Sequence, residues 1–192
     1  GSHLQAEFNI TKFVKKGNNT LCAKVRKWCS GSYLEDQDFF RFHGIFRDVY
    51  ILSRPEGHIK DINITTDKNF INIVFDGEAH IELFDANGIS LKKIFTKEKA
   101  NIELEAPIPW NAEKPYLYEL VFTYKDEVIR QKIGFVSYEI SDKCEFLVNG
   151  TAVKLKGVNH HDTHPQKGWV MSNEDIKTDL ILMKELKPIY SP

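Results

Sequence analysis

Between His58 and about Ser137, short runs alternate apolar and polar residues. Such alternation with a period of two marks half-buried β-strands, because successive side chains leave a strand on opposite faces. The segments are Ile59–Ile64, Phe70–Phe75, Ala79–Phe84, Ser90–Phe95, Asn101–Leu104, Leu117–Tyr124 and Glu127–Ile133. Turn signals separate them: Asp76-Gly77, Asn87-Gly88, Lys125-Asp126 and the stretch from Pro107 to Pro115. Ile71, Ile73 and Phe75 fall on one face, as do Ile81 with Leu83, and Leu120 with Phe122 and Tyr124. Short strands so densely punctuated by turns predict an immunoglobulin-like sandwich. Trp110 and Tyr118 read as core aromatics, and a tyrosine ahead of the penultimate strand suits a tyrosine corner.

Residues 4–53 are also β-rich in pattern. Ala6–Thr11, Phe13-Val14, Thr20–Val25 and Val49–Leu52 read as strands, with Lys15–Asn19 as a turn and Ser30–Asp38 as a polar loop. They are too few to close a sandwich of their own, so exposed edges and apolar faces are expected there. On the other side, Phe146–Val148 and Val153–Leu155 flank Asn149-Gly150, the strongest short hairpin signal. Leu155–Asn159 then reads as a buried strand leading into His160, His161, Asp162 and His164. Ser172 can cap a following helix, Glu174 and Asp175 suit its positive end, and Ile176, Leu180, Met183 and Leu186 keep helical spacing until Pro188 stops it. Strand, polar loop and helix make one unit of a βα barrel, whose loop after the strand faces the active site.

The chain has 192 residues, enough for one or two domains with a real core. It is 42% hydrophobic and 28% charged with a net charge of −1, so nothing in its balance points to nucleic acid or to an anionic membrane surface. No apolar run reaches the length of a membrane span. Gly1-Ser2-His3 reads as the scar of a cleaved tag and is set aside. Cys22, Cys29 and Cys144 are too sparse for a disulfide framework and fit partly buried residues in a reducing, cytoplasmic setting.

The histidine cluster is the candidate chemistry. Its residue types are those zinc uses, but adjacent residues point apart and no helical His spacing is present. Taken alone, the cluster reads as a solvated polar loop or a metal site, and Asp36 with Asp38 reads as an acidic turn.

Two runs carry a resemblance. Gly157-Val158-Asn159-His160-His161-Asp162-Thr163-His164-Pro165 resembles the start of the catalytic barrel in glycoside hydrolase family 2. Within that family it is most similar to the bacterial β-galactosidases. The run from Gly31 to Tyr50 is similar to the segment that closes the family's N-terminal sugar-binding domain, and Trp110–Tyr118 resembles a run in its second domain. The resemblance implies an all-β chain with a three-part organisation. Residues 4–54 would be partial jelly-roll strands of the sugar-binding domain, residues 55–137 the immunoglobulin-like sandwich, and residues 138–192 a single βα unit of a TIM barrel.

The same resemblance implies a parent enzyme that removes terminal non-reducing β-D-galactose from β-galactosides such as lactose, with retention. Retention takes two carboxylates across the scissile bond. In the family both are glutamates deep in the barrel, so no catalytic residue is assigned here and the 192 residues alone are expected to be inactive. Two substrate contacts carry over. His161 stands where an imidazole reaches the galactosyl hydroxyls, and Asp38 where a carboxylate contacts the sugar's hydroxymethyl and a sodium ion. The family's Met-Trp after that aspartate is Phe39-Phe40 here, and its substrate histidine beyond the first helix is absent from Lys187–Pro192. No cofactor is assigned to these residues; for the parent, sodium and magnesium are the ions the resemblance brings in. The implied partners are a β-galactoside and further copies of the parent in a homo-oligomer, with neither nucleic acid nor membrane. A family 2 β-glucuronidase or β-mannosidase, or a non-catalytic carbohydrate-binding module, is the alternative. Asp38 would repel a glucuronide's carboxylate, which calls for cationic groups.

Overall fold

The structure is a computed structural model that describes residues 4–34, 40 and 42–186. They fall into two units. One is Ile51–Lys156; the other comprises the chain on either side of it.

Ile51–Lys156 holds every buried hydrophobic residue among those described. Its first five strands are β1 (Ile62–Asp67), β2 (Phe70–Phe84), β3 (Ser90–Glu103), β4 (Tyr118–Tyr124) and β5 (Glu127–Ile133). All pair antiparallel in a single sheet: β3 runs along one edge of β2, while β1 and then β4 share the other, and β5 extends from β4. The alternation in β2 puts Ile71, Ile73 and Phe75 inward in its first half and Ala79, Ile81 and Leu83 inward in its second. These join Leu120, Phe122, Ile133 and Phe135 in one cluster, with the rings of Phe75 and Phe122 edge to face at 6.0 Å. A single sheet thus bends over its own core, and the protein is mainly β.

Seven short strands were expected in this region, and five are formed. Two of the five are long, because Asp76-Gly77 is not a turn. Gly77 has φ +110°, and the register of β2 against β3 shifts between Val74 and Glu78, which is a bulge. Left-handed backbone at glycine serves a bulge as well as a turn, so the dipeptide carries the same signal for both. The Asp76 carboxylate accepts the backbone N–H groups of Lys60 (2.6 Å) and Asp61 (3.0 Å), and these bonds, Asp61 first, hold its pKa below the ordinary value. Asn101–Leu104 likewise merges with Ser90–Phe95 into β3. Glu127–Ile133 is formed as read.

Tyr118 is 4% exposed, and its hydroxyl accepts the Ile108 N–H at 2.9 Å, a tyrosine-corner bond back to a residue ten earlier. Trp110 packs over Gly134 and donates its backbone N–H to the Phe135 carbonyl at 2.8 Å. At the entrance of the unit, Arg54 Nε donates to Glu127 Oε1 at 2.7 Å. A second sheet of three short strands follows: β6 (Tyr138–Ile140), β7 (Phe146–Val148) and β8 (Thr151–Ala152). Asn149 (φ +50°) and Gly150 (φ +76°) form the two-residue turn between β7 and β8, as their identity predicts. The Asn149 side chain joins the turn to the core, accepting the Ser137 N–H and donating to the Trp110 carbonyl.

The other unit is different in kind. The strands expected at residues 6–14 and 20–25 are not formed, nor is the one at 49–52, which reaches into Ile51–Lys156. Strand pattern without a partner edge leaves irregular chain, because a strand's backbone groups are satisfied only across a ladder. Phe8, Phe13 and Leu21 are accordingly exposed, at 78%, 83% and 64%. A single helical turn, α1 (Gly31–Leu34), is the first regular element. Cys22, Cys29 and Cys144 are all exposed, against the partly buried positions expected. The strand expected at 155–159 is also absent. The helix is present: α2 (Asn173–Leu186) begins directly after Ser172. No helix among the described residues is long and apolar enough to cross a membrane.

Candidate functional site

The candidate site is the loop from Gly157 to Met171 with the first two turns of α2 behind it. The helix start is fixed locally. The Ser172 hydroxyl accepts the Asp175 N–H at 3.2 Å, and Asp175 Oδ2 accepts the Ser172 N–H at 2.9 Å and its hydroxyl at 2.7 Å. This reciprocal cap satisfies donors that a helix leaves open at its N-terminus. Lys167 Nζ adds a contact to the same oxygen at 2.9 Å. The Ser172 N–H, the Lys167 ammonium and the Ser172 hydroxyl together hold the Asp175 carboxyl far below the usual carboxylate range.

The loop closes on itself between His164 and Gly168, which exchange backbone bonds of 2.7 and 2.9 Å. Gly168 has φ +64°, which favours glycine, and a Cβ there would lie 3.0 Å from the Phe42 ring, a tight contact. The next residue, Trp169, packs edge to face with Phe42 and with Phe46, each at 5.3 Å. Inside the closed turn, His164 Nδ1 accepts the N–H groups of Gln166 (3.1 Å) and Lys167 (3.2 Å). That assignment leaves the ring proton on Nε2, which lies 3.8 Å from Asp175 Oδ1. His160 Nε2 lies 3.0 Å from Asp179 Oδ2, and its Nδ1 lies 3.5 Å from Asp162 Oδ1.

His161 therefore sits between two histidines that are each directed at an aspartate of α2. It is exposed, and its own backbone carbonyl accepts the Thr163 N–H at 2.8 Å. Asp38, the other residue assigned to substrate and to sodium, lies outside the described residues, as do Asp36 and the helix-stopping Pro188. The four carboxylates on or next to the loop are Asp162, Glu174, Asp175 and Asp179. Asp175 is bound into the helix cap and Asp179 faces His160, so neither is poised as a catalytic acid or nucleophile. No group of three or more His, Cys, Asp or Glu side chains converges on a metal position among the described residues.

Asp179 was not singled out from the sequence. Its signal is the four-residue spacing from Asp175, which puts both carboxylates on one face of the helix. Nothing in the sequence couples that face to residues nineteen positions earlier.

Known proteins resemble the chain along most of its length. The model of the glycosyl hydrolases family 2 sugar binding domain matches residues 1–55, that of glycosyl hydrolases family 2 matches residues 75–135, and that of the family 2 TIM barrel domain matches residues 138–188. A β-galactosidase of Actinobacillus pleuropneumoniae is 40% identical over 195 residues, covering 96% of this chain and 19% of that protein. A β-galactosidase of Staphylococcus xylosus is 38% identical over 195 residues, covering 96% and 20%. The chain thus spans about a fifth of the length of the curated relatives it matches. Among solved structures, Bacteroides uniformis β-glucuronidase 3 superposes with a TM-score of 0.68 at 24% identity, over 78% of this chain and 22% of that one. A β-glucuronidase of Faecalibacterium prausnitzii gives 0.70 at 22% identity, over 77% and 26%. At those identities the structural likeness speaks for the fold alone. Three models of one family match in order along the chain, and its relatives at 38–40% identity are aligned over 96% of it: the chain belongs to glycosyl hydrolase family 2.

Proposed function

We propose that this chain is part of a retaining β-galactosidase that releases terminal β-D-galactose from β-galactosides, lactose among them. The observation that carries the reading is the 38–40% identity to proteins named β-galactosidase across 96% of the chain. The β-glucuronidases it resembles in fold stand at only 22–24%. The alternative, hydrolysis of β-glucuronides, is opposed by the sign of Asp38, since a carboxylate repels the uronate.

Residues 4–54, 55–137 and 138–192 would then be sugar-binding, spacing and catalytic-barrel portions respectively. His161 would donate to and accept from galactosyl hydroxyls, as an imidazole can near neutral pH. Asp38 would contact the terminal hydroxymethyl and supply a carboxylate oxygen to a sodium ion. The two carboxylates required for double displacement stand about 5–5.5 Å apart in a retaining enzyme. As glutamates deep in the barrel, which is where the resemblance puts them, they would come from outside these residues, as would magnesium, and the 192 residues alone would turn nothing over. Asp175 and Asp179 are already engaged, in the helix cap and with His160. The parent would act as a cytoplasmic homo-oligomer, a location supported by the sparse cysteines.

The test uses the full-length enzyme with aryl β-galactoside, β-glucuronide and β-mannoside, alongside Asp38→Ala and His161→Ala. Galactoside should be preferred, and both variants should lose most of that turnover. Preference for another glycoside would remove the galactose assignment, and unchanged variants would remove the two contacts.

A further inference from the structure

The loop that carries His161 is tied to α2 at two points. Before it, His160 Nε2 meets Asp179 Oδ2 at 3.0 Å; after it, His164 Nε2 faces Asp175 Oδ1 at 3.8 Å. Asp175 and Asp179 are four residues apart, so the two anchor points lie one helical turn apart on the same face. The anchors differ in origin. His164 is already held by two backbone N–H groups inside its own closed turn, and Asp175 is held by the helix cap, so that end is set by local structure. The other end is held through the His160 ring: no strand is formed before it among the described residues, and its two ring nitrogens face Asp162 of the loop and Asp179 of the helix. The side-chain bond from His160 to Asp179 is a long-range polar contact that ties this end of the loop to the helix, across nineteen positions.

We infer that Asp179, acting through His160, is a positioning residue that sets the placement of His161 toward the sugar. The inference rests on the reading of His161 as a substrate contact. The logic is that of an outer partner orienting a functional side chain: it touches no substrate, but it removes freedom from the residue that does. Asp162, 3.5 Å from His160 Nδ1, faces the opposite side of the same ring. His160 thus has a carboxylate on each side, one from the loop and one from the helix.

The experiment is a double-mutant cycle in the full-length enzyme with an aryl β-galactoside. D179N keeps the shape of the side chain and removes its charge. It should raise KM and lower kcat/KM by about tenfold to a hundredfold, the range that loss of an outer orienting partner typically costs. H160Q should show a loss of similar size, and H160Q/D179N should lose no more than either alone, because both remove one contact. The decisive comparison is made in the His161→Ala background, where D179N should change nothing further. A merely structural Asp179 would add its loss there too, and that result would overturn the inference. If His161→Ala itself leaves turnover intact, the substrate-contact reading fails and the inference falls with it, whereas a loss in D179N that adds to that of an impaired His161→Ala overturns the inference alone. Should D179N not fold, D179E and H160Q carry the same cycle, and additivity with His161→Ala overturns the inference in the same way.

Discussion

Gly134 lies where two backbone segments of Ile51–Lys156 meet, and Gly134→Ala should destabilise that unit strongly. A Cβ built at this position falls 2.6 Å from Trp110 Cβ, 2.8 Å from its Cγ and 3.0 Å from its Cδ1. Carbon atoms rest about 3.5–4.0 Å apart, so the two segments must part by about 1 Å. Neither is free to move. The Gly134 carbonyl accepts the Thr66 hydroxyl at 2.8 Å, and the next residue, Phe135, is buried and takes the Trp110 N–H at 2.8 Å. The Trp110 carbonyl in turn accepts from Asn149 at 2.8 Å. Overpacking of this kind costs about 1–3 kcal/mol. Breaking one flanking hydrogen bond to relieve it adds about 1 kcal/mol. The expected loss is thus about 2–4 kcal/mol, which lowers a urea midpoint by about 1–2 M for a domain of this size. Unfolding followed by circular dichroism of the β signal reads it. Gly157→Ala is the control, since no heavy atom lies within 4 Å of its Cβ position and its φ is not left-handed. A Gly134→Ala midpoint equal to that of the Gly157 variant would refute the packing argument.

Two further predictions concern single polar contacts. Tyr118→Phe leaves the Ile108 N–H without its acceptor and should cost about 1–3 kcal/mol in the same unfolding assay. Burial first of all pushes the Tyr118 hydroxyl above its ordinary pKa. Its contribution is therefore complete below about pH 10 and declines as pH rises through the higher folded value, so the phenylalanine variant should lose that part of the alkaline sensitivity. Asp175 has the opposite sign. Its folded pKa is depressed, so the cap it forms is fully present above about pH 4 and is lost as the pH falls toward the folded value. Helical circular dichroism should fade on acid titration of the wild type, and Asp175→Asn should start from a weaker cap and show a flatter acid limb; identical profiles would contradict the assignment.

The parts legible in the sequence are those whose signal is local and whose partners are nearby. Glu127–Ile133 alternates against Tyr118–Tyr124 across a short turn, and the strand forms with the bounds its pattern gives. Asn149-Gly150 dictates a two-residue turn through backbone preference alone. Ser172 and Asp175 begin a helix for reasons contained within four residues. What was misread depends on distance. The pattern at residues 20–25 is as strand-like as any, but β pairing is decided by a neighbouring edge, and none is met. Asp76-Gly77 announces left-handed backbone without saying whether the chain turns back or carries on. In the candidate site, the histidines were visible as ligand types, but the bond from His160 to Asp179 has no sequence signature, because it is made by how the loop lies on the helix.

The bulge in β2 has a consequence for how Ile51–Lys156 comes apart. In a sandwich of two separate sheets, one layer can peel from the other while each keeps its hydrogen bonds. Here β2 contributes Ile71, Ile73 and Phe75 on one side of the bend and Ile81 and Leu83 on the other, and β3 follows it across. Strands that belong to both halves cannot be surrendered by one of them. A half-unfolded form would have to break the long β2–β3 ladder, so this unit should melt in a single step, with Asp76 and Gly77 at the crease that makes the two halves one cooperative body.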